Sequence, residues 1–206
     1  MFSVQERKTG AGQYVLIGLV TAVCALPVLI PQNLYGTLFS PEFVTYMLAD
    51  LNILDNILLP AVQANRGWRG KRRADLVGEA RKLMRRLSVS DIETRGITQV
   101  SGGQLQRACI CRSMINVPEI LFADEPTGAL NRGAAKEVLA ELVKLNRDGM
   151  SILMVTHDAG VACSCDRILY LGDGRICGEL VLGKPERGAE KRREERGNAW
   201  LSQQGW

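Results

Sequence analysis

Ser101 to Gln104 reads SGGQ, Ile120 to Pro126 reads ILFADEP, and the chain's one histidine, His157, follows the run MVT. A serine hydroxyl and two glycines ahead of a helix can bring backbone N–H groups, a small polar side chain and the positive end of the helix dipole onto one phosphate. Gly102 and Gly103 suit that task because a Cβ would block the approach. An ordinary serine N-cap with a glycine turn would give the same letters. Asp124 and Glu125 close an apolar run, and the end of a buried strand is where a phosphate-hydrolysing α/β site keeps its carboxylates. Asp124 can hold Mg²⁺ through its water shell. Glu125 can orient and deprotonate an attacking water, which takes a carboxylate beside the metal but not bound to it. A plain strand-to-loop exit is the alternative, and the apolar ILFA stands against it. His157, after a second apolar strand, can donate a hydrogen bond to a terminal phosphate, although a lone histidine is more often structural.

These stretches need strands and helices to position them, and from about Phe43 onward the sequence alternates signals for both. Leu76, Val77, Ala80, Leu83, Met84 and Leu87 recur at helical spacing with charges between them. Gln104 to Val117 reads as a helix that stops at Pro118, and Ile120 to Ala123 as a short buried strand. Ala135, Val138, Leu139, Leu142 and Val143 mark a further helix ending near Asp148-Gly149, and Ile152 to Val155 the next buried strand. Arg167 to Leu171 and Arg175 to Val181 flank Gly172-Asp173-Gly174, a hairpin signal. The tail runs through the mixed charges of Lys191 to Arg196 to Trp200, Leu201 and Trp206. It reads as a solvated helix with an apolar tip in preference to a docked one.

Length and composition narrow the classes. A chain of 206 residues can bury one core with an attached subdomain. Its 26 basic and 22 acidic side chains, net charge +4 and pI of about 8.8 are interleaved, too mild a balance to imply nucleic acid. Cysteines stand at 24, 109, 111, 163, 165 and 177, and the two C-x-C pairs lack the gap that lets both thiolates reach one zinc. They read as small buried side chains in a reducing cytosol.

Tyr14 to Ile30 is an apolar run of 17 residues, broken only by Gly18, Thr21 and Pro27 and preceded by Arg7 and Lys8. It sits at the lower limit for a membrane span. A span would keep the N-terminus in the cytoplasm and export the phosphate motifs to a compartment without ATP, and no A-x-A site comes after it to make it a signal peptide. The expectation is a segment left out of the central sheet, with Pro27 and the long apolar run against a strand.

From roughly Phe43 to Val181 the chain resembles the ATP-binding subunit of ABC transporters. The ABC signature falls on Ser101 to Gln104, Walker B ends at Asp124 and Glu125, and His157 stands at the switch histidine. The resemblance implies an α/β fold: a P-loop NTPase-like ABC cassette core sheet with a helical subdomain over about 55–117 and an incomplete N-terminal part. It implies ATP and Mg²⁺ as cofactors, with Glu125 and His157 catalytic, Asp124 on the metal through water, and Ser101, Gly102, Gly103, Gln104 and Asn131 at the nucleotide. It further implies a second cassette in a dimer, a membrane-spanning permease, no nucleic acid, and a cytoplasmic place on the inner face of the cell membrane. Asn56-Ile57-Leu58-Leu59-Pro60, Asp124 to Asn131 (DEPTGALN) and the tail ending in Trp206 are similar to the branch serving lipoprotein release, macrolide export and antimicrobial-peptide resistance, the bacitracin-export type above all. Gly128 to Asn131 falls on the D-loop, where Asn131 replaces the family's aspartate and is expected to weaken crosstalk between subunits.

The family's G-x-x-x-x-G-K-[ST] loop cradles phosphates with its backbone and lysine. Here the glycine-lysine pairs are Gly70-Lys71 and Gly183-Lys184, followed by Arg72 and Pro185, so neither completes it. The aromatic that stacks on adenine has no counterpart, Phe43-Val44-Thr45-Tyr46 reads like the Q-loop flanks with the glutamine dropped, and Gln32 lies too far upstream of Asn56. Residues 1–42 are therefore set apart as an atypical apolar segment, 43–182 as a partial ABC ATP-binding domain and 183–206 as a charged tail. A frameshift, a truncated gene or a wrong start codon would each produce the pattern. Two functions compete, an ATPase subunit driving a membrane partner and a non-catalytic cassette remnant. A DNA-repair or translation role would need a coiled coil or tandem cassette, and Lys71-Arg72-Arg73 reads as a solvated loop.

Overall fold

Two apolar runs that come after helices set the frame: Ile120–Asp124 and Ser151–Val155 lie parallel, with Ile120 beside Ser151 and Asp124 beside Val155. The computed structural model describes residues 13–17, 38–39, 47–65, 73–172, 175–186 and 188–206. In chain order its strands are β1 (Gln13–Ile17), β2 (Leu38–Phe39), β3 (Ile120–Asp124), β4 (Ser151–Val155), β5 (Arg167–Gly172) and β6 (Arg175–Val181). They form a sheet in the order β2-β3-β4-β1-β5-β6, parallel except for the β5–β6 hairpin. Parallel strands need long crossovers, and helices supply those between β2 and β5. The helices are α1 (Ile53–Asn65), α2 (Arg73–Arg86), α3 (Gly102–Met114), α4 (Arg132–Arg147), α5 (Ala159–Cys163) and α6 (Glu190–Gln203).

The core joins Leu121, Ala123, Ile152, Met154 and Ile168 of the sheet to Val138, Leu142 and Leu145 of α4, all within 1 % of full burial. The helix α4 ends as its sequence suggests. Gly149 takes φ +102, its N–H donates to Asn146 O, and Met150 N–H reaches back to Leu145 O. Helices α1, α2 and α3 pack on one another, with Ile53, Ile57, Ala80, Met84 and Ile110 fully buried between them. Asn56, also fully buried, is satisfied completely: its Oδ1 accepts from Leu48 N–H at 2.8 Å, and its Nδ2 donates to the carbonyls of Leu48, Leu51 and Asn52. Arg73 opens α2 and pairs with Asp55, so it belongs to a helix and not to the solvated loop expected.

Three further expectations need correction. Tyr14 to Ile17 is not left out of the sheet: β1 lies between β4 and β5, with Tyr14 beside Leu153 on one side and Arg167 on the other. The run Tyr-Val-Leu-Ile is rich in strand formers, and the signals against a strand lie further along. Residues 18–30, with Pro27, fall outside the described residues. Among those described, no helix is long and apolar enough to cross a membrane.

The tail is docked. Arg193, Gly197, Trp200 and Leu201 fall at i, i+4, i+7 and i+8, one face of α6, with Leu201 1 % exposed and Trp200 packed on the core. An arginine and a glycine disguise the stripe as polar. Arg193 snorkels inward, its guanidinium donating to the carbonyls of Cys163, Cys165, Leu182 and Gly183 at 2.8–3.2 Å. Trp206 meets the ring of Tyr170 edge-on.

Cys177 is exposed on β6, which pairs with β5 alone, while Cys109, Cys111, Cys163 and Cys165 are buried; Cys24 lies outside the described residues. Burial pushes the thiols of Cys109 and Cys165 up to about 12 and that of Cys111 up as well. Since the thiolate is the reacting species, peptide mapping after brief treatment with a maleimide at pH 8 should find Cys177 modified and the four buried cysteines intact. Equal labelling of Cys109 or Cys165 would contradict this packing.

Candidate functional site

Because β3 and β4 run parallel in register, their carboxyl ends arrive level, and the residues just beyond them meet. Glu125 N–H donates to Val155 O at 2.8 Å, extending the ladder by one step. Glu125 then turns into the left-handed region at φ +43, a conformation that costs a non-glycine residue roughly 1 kcal/mol or more and that surrounding contacts must hold. Those contacts come from β4's exit. His157 N–H donates to Glu125 Oε1 at 2.7 Å, His157 Nδ1 lies 2.6 Å from the same oxygen, and Thr156 Oγ1 donates to Oε2 at 3.3 Å. Thr156, 1 % exposed, also accepts from Asp158 N–H at 3.1 Å, so its hydroxyl is fixed at both ends. The carboxylate is thus nested, 17 % exposed, while the imidazole beside it is 77 % exposed.

That pairing constrains the histidine. A carboxylate accepts only, so Nδ1 carries the proton, and Nε2 of the neutral ring is then an acceptor. Donating to a phosphate requires the imidazolium or rotation away from Glu125.

Ser101 to Gln104 stands apart as the start of α3. Ser101 takes extended φ −71 and ψ 157 and caps the helix: its Oγ accepts from Gln104 N–H at 3.3 Å, and Gln104 Oε1 accepts from Ser101 N–H at 3.0 Å. Ser101 and Gly102 are exposed, and the first-turn N–H groups of such a helix need partners from outside it. The glycines also serve packing. A Cβ on Gly103 would lie 2.9 Å from Ala134 Cβ, and one on Gly102 3.2 Å from Leu130.

Buried Gln106 donates to Pro126 O at 3.0 Å, and Arg107 pairs with Glu137 at 2.7 Å, so α3 is tied to the segment after Glu125 and to α4. Asn131 is the N-cap of α4, its Oδ1 accepting from Gly133 and Ala134 N–H. Asparagine caps as well as aspartate, so the replacement keeps the local geometry and removes a charge. Thr156 and Gln106 were missed by motif reasoning. A hydroxyl next to the histidine at a strand exit, and a glutamine on the inward side of α3, are the signals that mark them.

The profile of the ABC transporter family matches residues 37–128. The macrolide export ATP-binding/permease protein MacB 2 of Aeromonas hydrophila subsp. hydrophila is 40% identical over 170 residues, 82% of this chain and 25% of that protein. MacB of Neisseria meningitidis serogroup A is 37% identical over 169 residues, 81% of this chain and 25% of that protein. A bacterial ABC transporter cassette solved as a dimer superposes with a TM-score of 0.70 at 25% identity, covering 84% of this chain and 87% of that one. The chain belongs to the ABC transporter ATP-binding cassettes.

Its fold is accordingly the α/β ABC cassette, and its family is one of ABC-type ATPases. The cassette spans about a quarter of the length of the curated relatives it matches. Its donors suit the family's ligands at two places. Asp124, the last residue of β3, carries a carboxylate, the donor type that Mg²⁺ takes alongside water and phosphate oxygens. The exposed start of α3 offers N–H groups and a hydroxyl to an anion. The sequence holds no G-x-x-x-x-G-K-[ST]. Strand β1, centrally placed as a P-loop strand would be, runs into Gly18-Leu19-Val20-Thr21, outside the described residues.

Proposed function

We propose that this cassette works as one half of a nucleotide-dependent dimer that drives a membrane-spanning permease of the export type, on the inner face of the cell membrane and in contact with the cytoplasm. The relatives' macrolide-export names and the dimeric cassette support that reading, and the antimicrobial-peptide and lipoprotein types are its neighbouring alternatives. The observation that carries it is the Glu125–Thr156–His157 nest at the ends of adjacent parallel strands, with Ser101 exposed at the start of a separate helix. Helices α1 to α3 form the subdomain that presents the signature, and the 183–206 tail braces the sheet.

Bound Mg-ATP supplies the phosphoryl group and the charge that make hydrolysis possible. In the cassette itself, Asp124 offers an oxygen to the metal, and Glu125 accepts a proton from water in a carboxylate orientation fixed by Thr156 and the His157 backbone. His157 would read a terminal phosphate by leaving Glu125, and Ser101, Gly102 and Gln104 at the start of α3 would hold the partner's nucleotide, with Gly103 packed beneath them on Ala134 and Asn131 capping α4 beside them. The missing phosphate cradle favours a second reading for the chain's own site, a cassette that contributes a signature face without turnover. Without the charge-assisted contacts of that cradle, several kcal/mol of nucleotide binding are absent. Titration calorimetry on the isolated chain should therefore find Mg-ATP affinity at least roughly a hundredfold weaker than an intact cassette shows. Micromolar binding would overturn the second reading.

A further inference from the structure

Away from that site, a cleft of about 300 Å³ lies between the loop after β6 and the first half of α6, and its walls include Gly183, Lys184, Glu186, Arg192, Arg193 and Arg196. Its charge is unbalanced. Lys184, Arg192 and Arg196 are exposed, and no ion pair joins them to another described residue. Arg192 and Arg196 stand one helical turn apart, where like charges repel. Arg193, 9 % exposed, puts a further guanidinium under the cleft floor, and its hydrogen bonds go to backbone carbonyls, including Gly183 O at 2.8 Å and Cys165 O at 2.8 Å. Carbonyl dipoles satisfy its donors but leave its net charge in place. Glu186 is the acidic residue on the wall.

The cleft is also fixed before anything binds. The N–H groups of Leu182 and Gly183 both donate to Asp166 O, Gly183 takes φ +73, and Arg147 Nη2 donates to Pro185 O at 2.9 Å. Guanidinium forks and an ammonium converging on a small preformed cleft match the several oxygens and multiple charge of a phosphate group. We propose that this cleft binds a phosphate-bearing anion, small enough to be a free polyphosphate or the exposed phosphate of a lipid headgroup. The proposal does not depend on nucleotide use by the cassette.

The test compares the full chain with an Arg192→Gln/Arg196→Gln variant, whose altered side chains are exposed and whose circular-dichroism melt should match the parent's. Calorimetry with inorganic pyrophosphate and co-sedimentation with phosphatidylglycerol vesicles, against phosphatidylcholine vesicles, are run at low ionic strength. The parent should bind at least one of the two anionic probes, and the variant should bind it at least tenfold more weakly. Loss confined to pyrophosphate assigns a soluble phosphate, and loss confined to vesicles assigns a lipid. A parent that binds neither probe, or a variant that binds as the parent does, overturns the site.

Discussion

A dimer of this chain with an intact cassette of the same type is expected to hydrolyse ATP at no more than about half its sites, and to lose that activity entirely on Ser101→Arg in this chain. On the second reading proposed above, the composite site that works would take its cradle, Walker B and histidine from the intact partner and only the signature from this chain. Ser101 is exposed and its Oγ caps α3, so an arginine removes the cap and puts bulk and a misplaced charge where, on the proposed reading, the partner's terminal phosphate would sit. Loss of a transition-state donor of this kind typically costs about 10²–10³ in rate. On the reading in which this chain lends only its signature, Glu125→Gln in this chain should change little, because its nested carboxylate would serve a site without a cradle. Turnover measurements on the mixed dimer, with the partner's own catalytic glutamate intact, read both variants. Activity that survives Ser101→Arg but fails with Glu125→Gln would show that this chain hydrolyses its own nucleotide.

The largest stability effect should come from one methyl group. A Cβ built on Gly197 of α6 falls on Cys163 Sγ, and beyond it on Cys163 Cβ at 3.4 Å. An alanine gains about 1 kcal/mol from helix propensity, but overpacking of this severity costs about 3 kcal/mol or more, so the clash wins. Gly197→Ala should lower the midpoint of thermal unfolding by several degrees. Cys163→Ala removes the sulfur, leaving the tolerable Cβ distance, and the double variant should recover most of the loss with a coupling of about 2 kcal/mol. If Gly197→Ala melts with the parent, or Cys163→Ala fails to rescue it, the docked position of α6 is wrong.

Much of this was legible in the residues, and the failures have physical causes. The strands at Ile120 and Ser151 announced themselves as short apolar runs, and the hairpin by its glycine turn. The carboxylate and histidine were legible as a pair of strand exits because parallel neighbours end level. What the sequence concealed was the nest: Thr156 and a backbone N–H grip Glu125, and backbone donors leave no trace in side-chain pattern. The docked tail was hidden for a related reason. Arg193 is buried by carbonyl oxygens and Gly197 by close approach, and neither reads as apolar. The place of β1 was obscured by its downstream neighbours, since the long run through Pro27 drew attention away from four good strand residues.

That place of β1 governs the order in which the molecule assembles. Gln13 pairs beside Ile152 and Tyr14 beside Arg167, so β1 has no sheet neighbour until strands that lie far downstream of it in sequence have been made. Contacts of such sequence separation close slowly, because the loop entropy is lost before the pairing is gained. Helices α1 to α3, whose contacts are nearer in sequence, can collapse while β1 waits with both edges unpaired. During that interval the apolar run from Tyr14 to Ile30 is an aggregation hazard. Yield of folded protein should therefore depend on synthesis rate and on chaperone holding more than on the stability of the finished sheet.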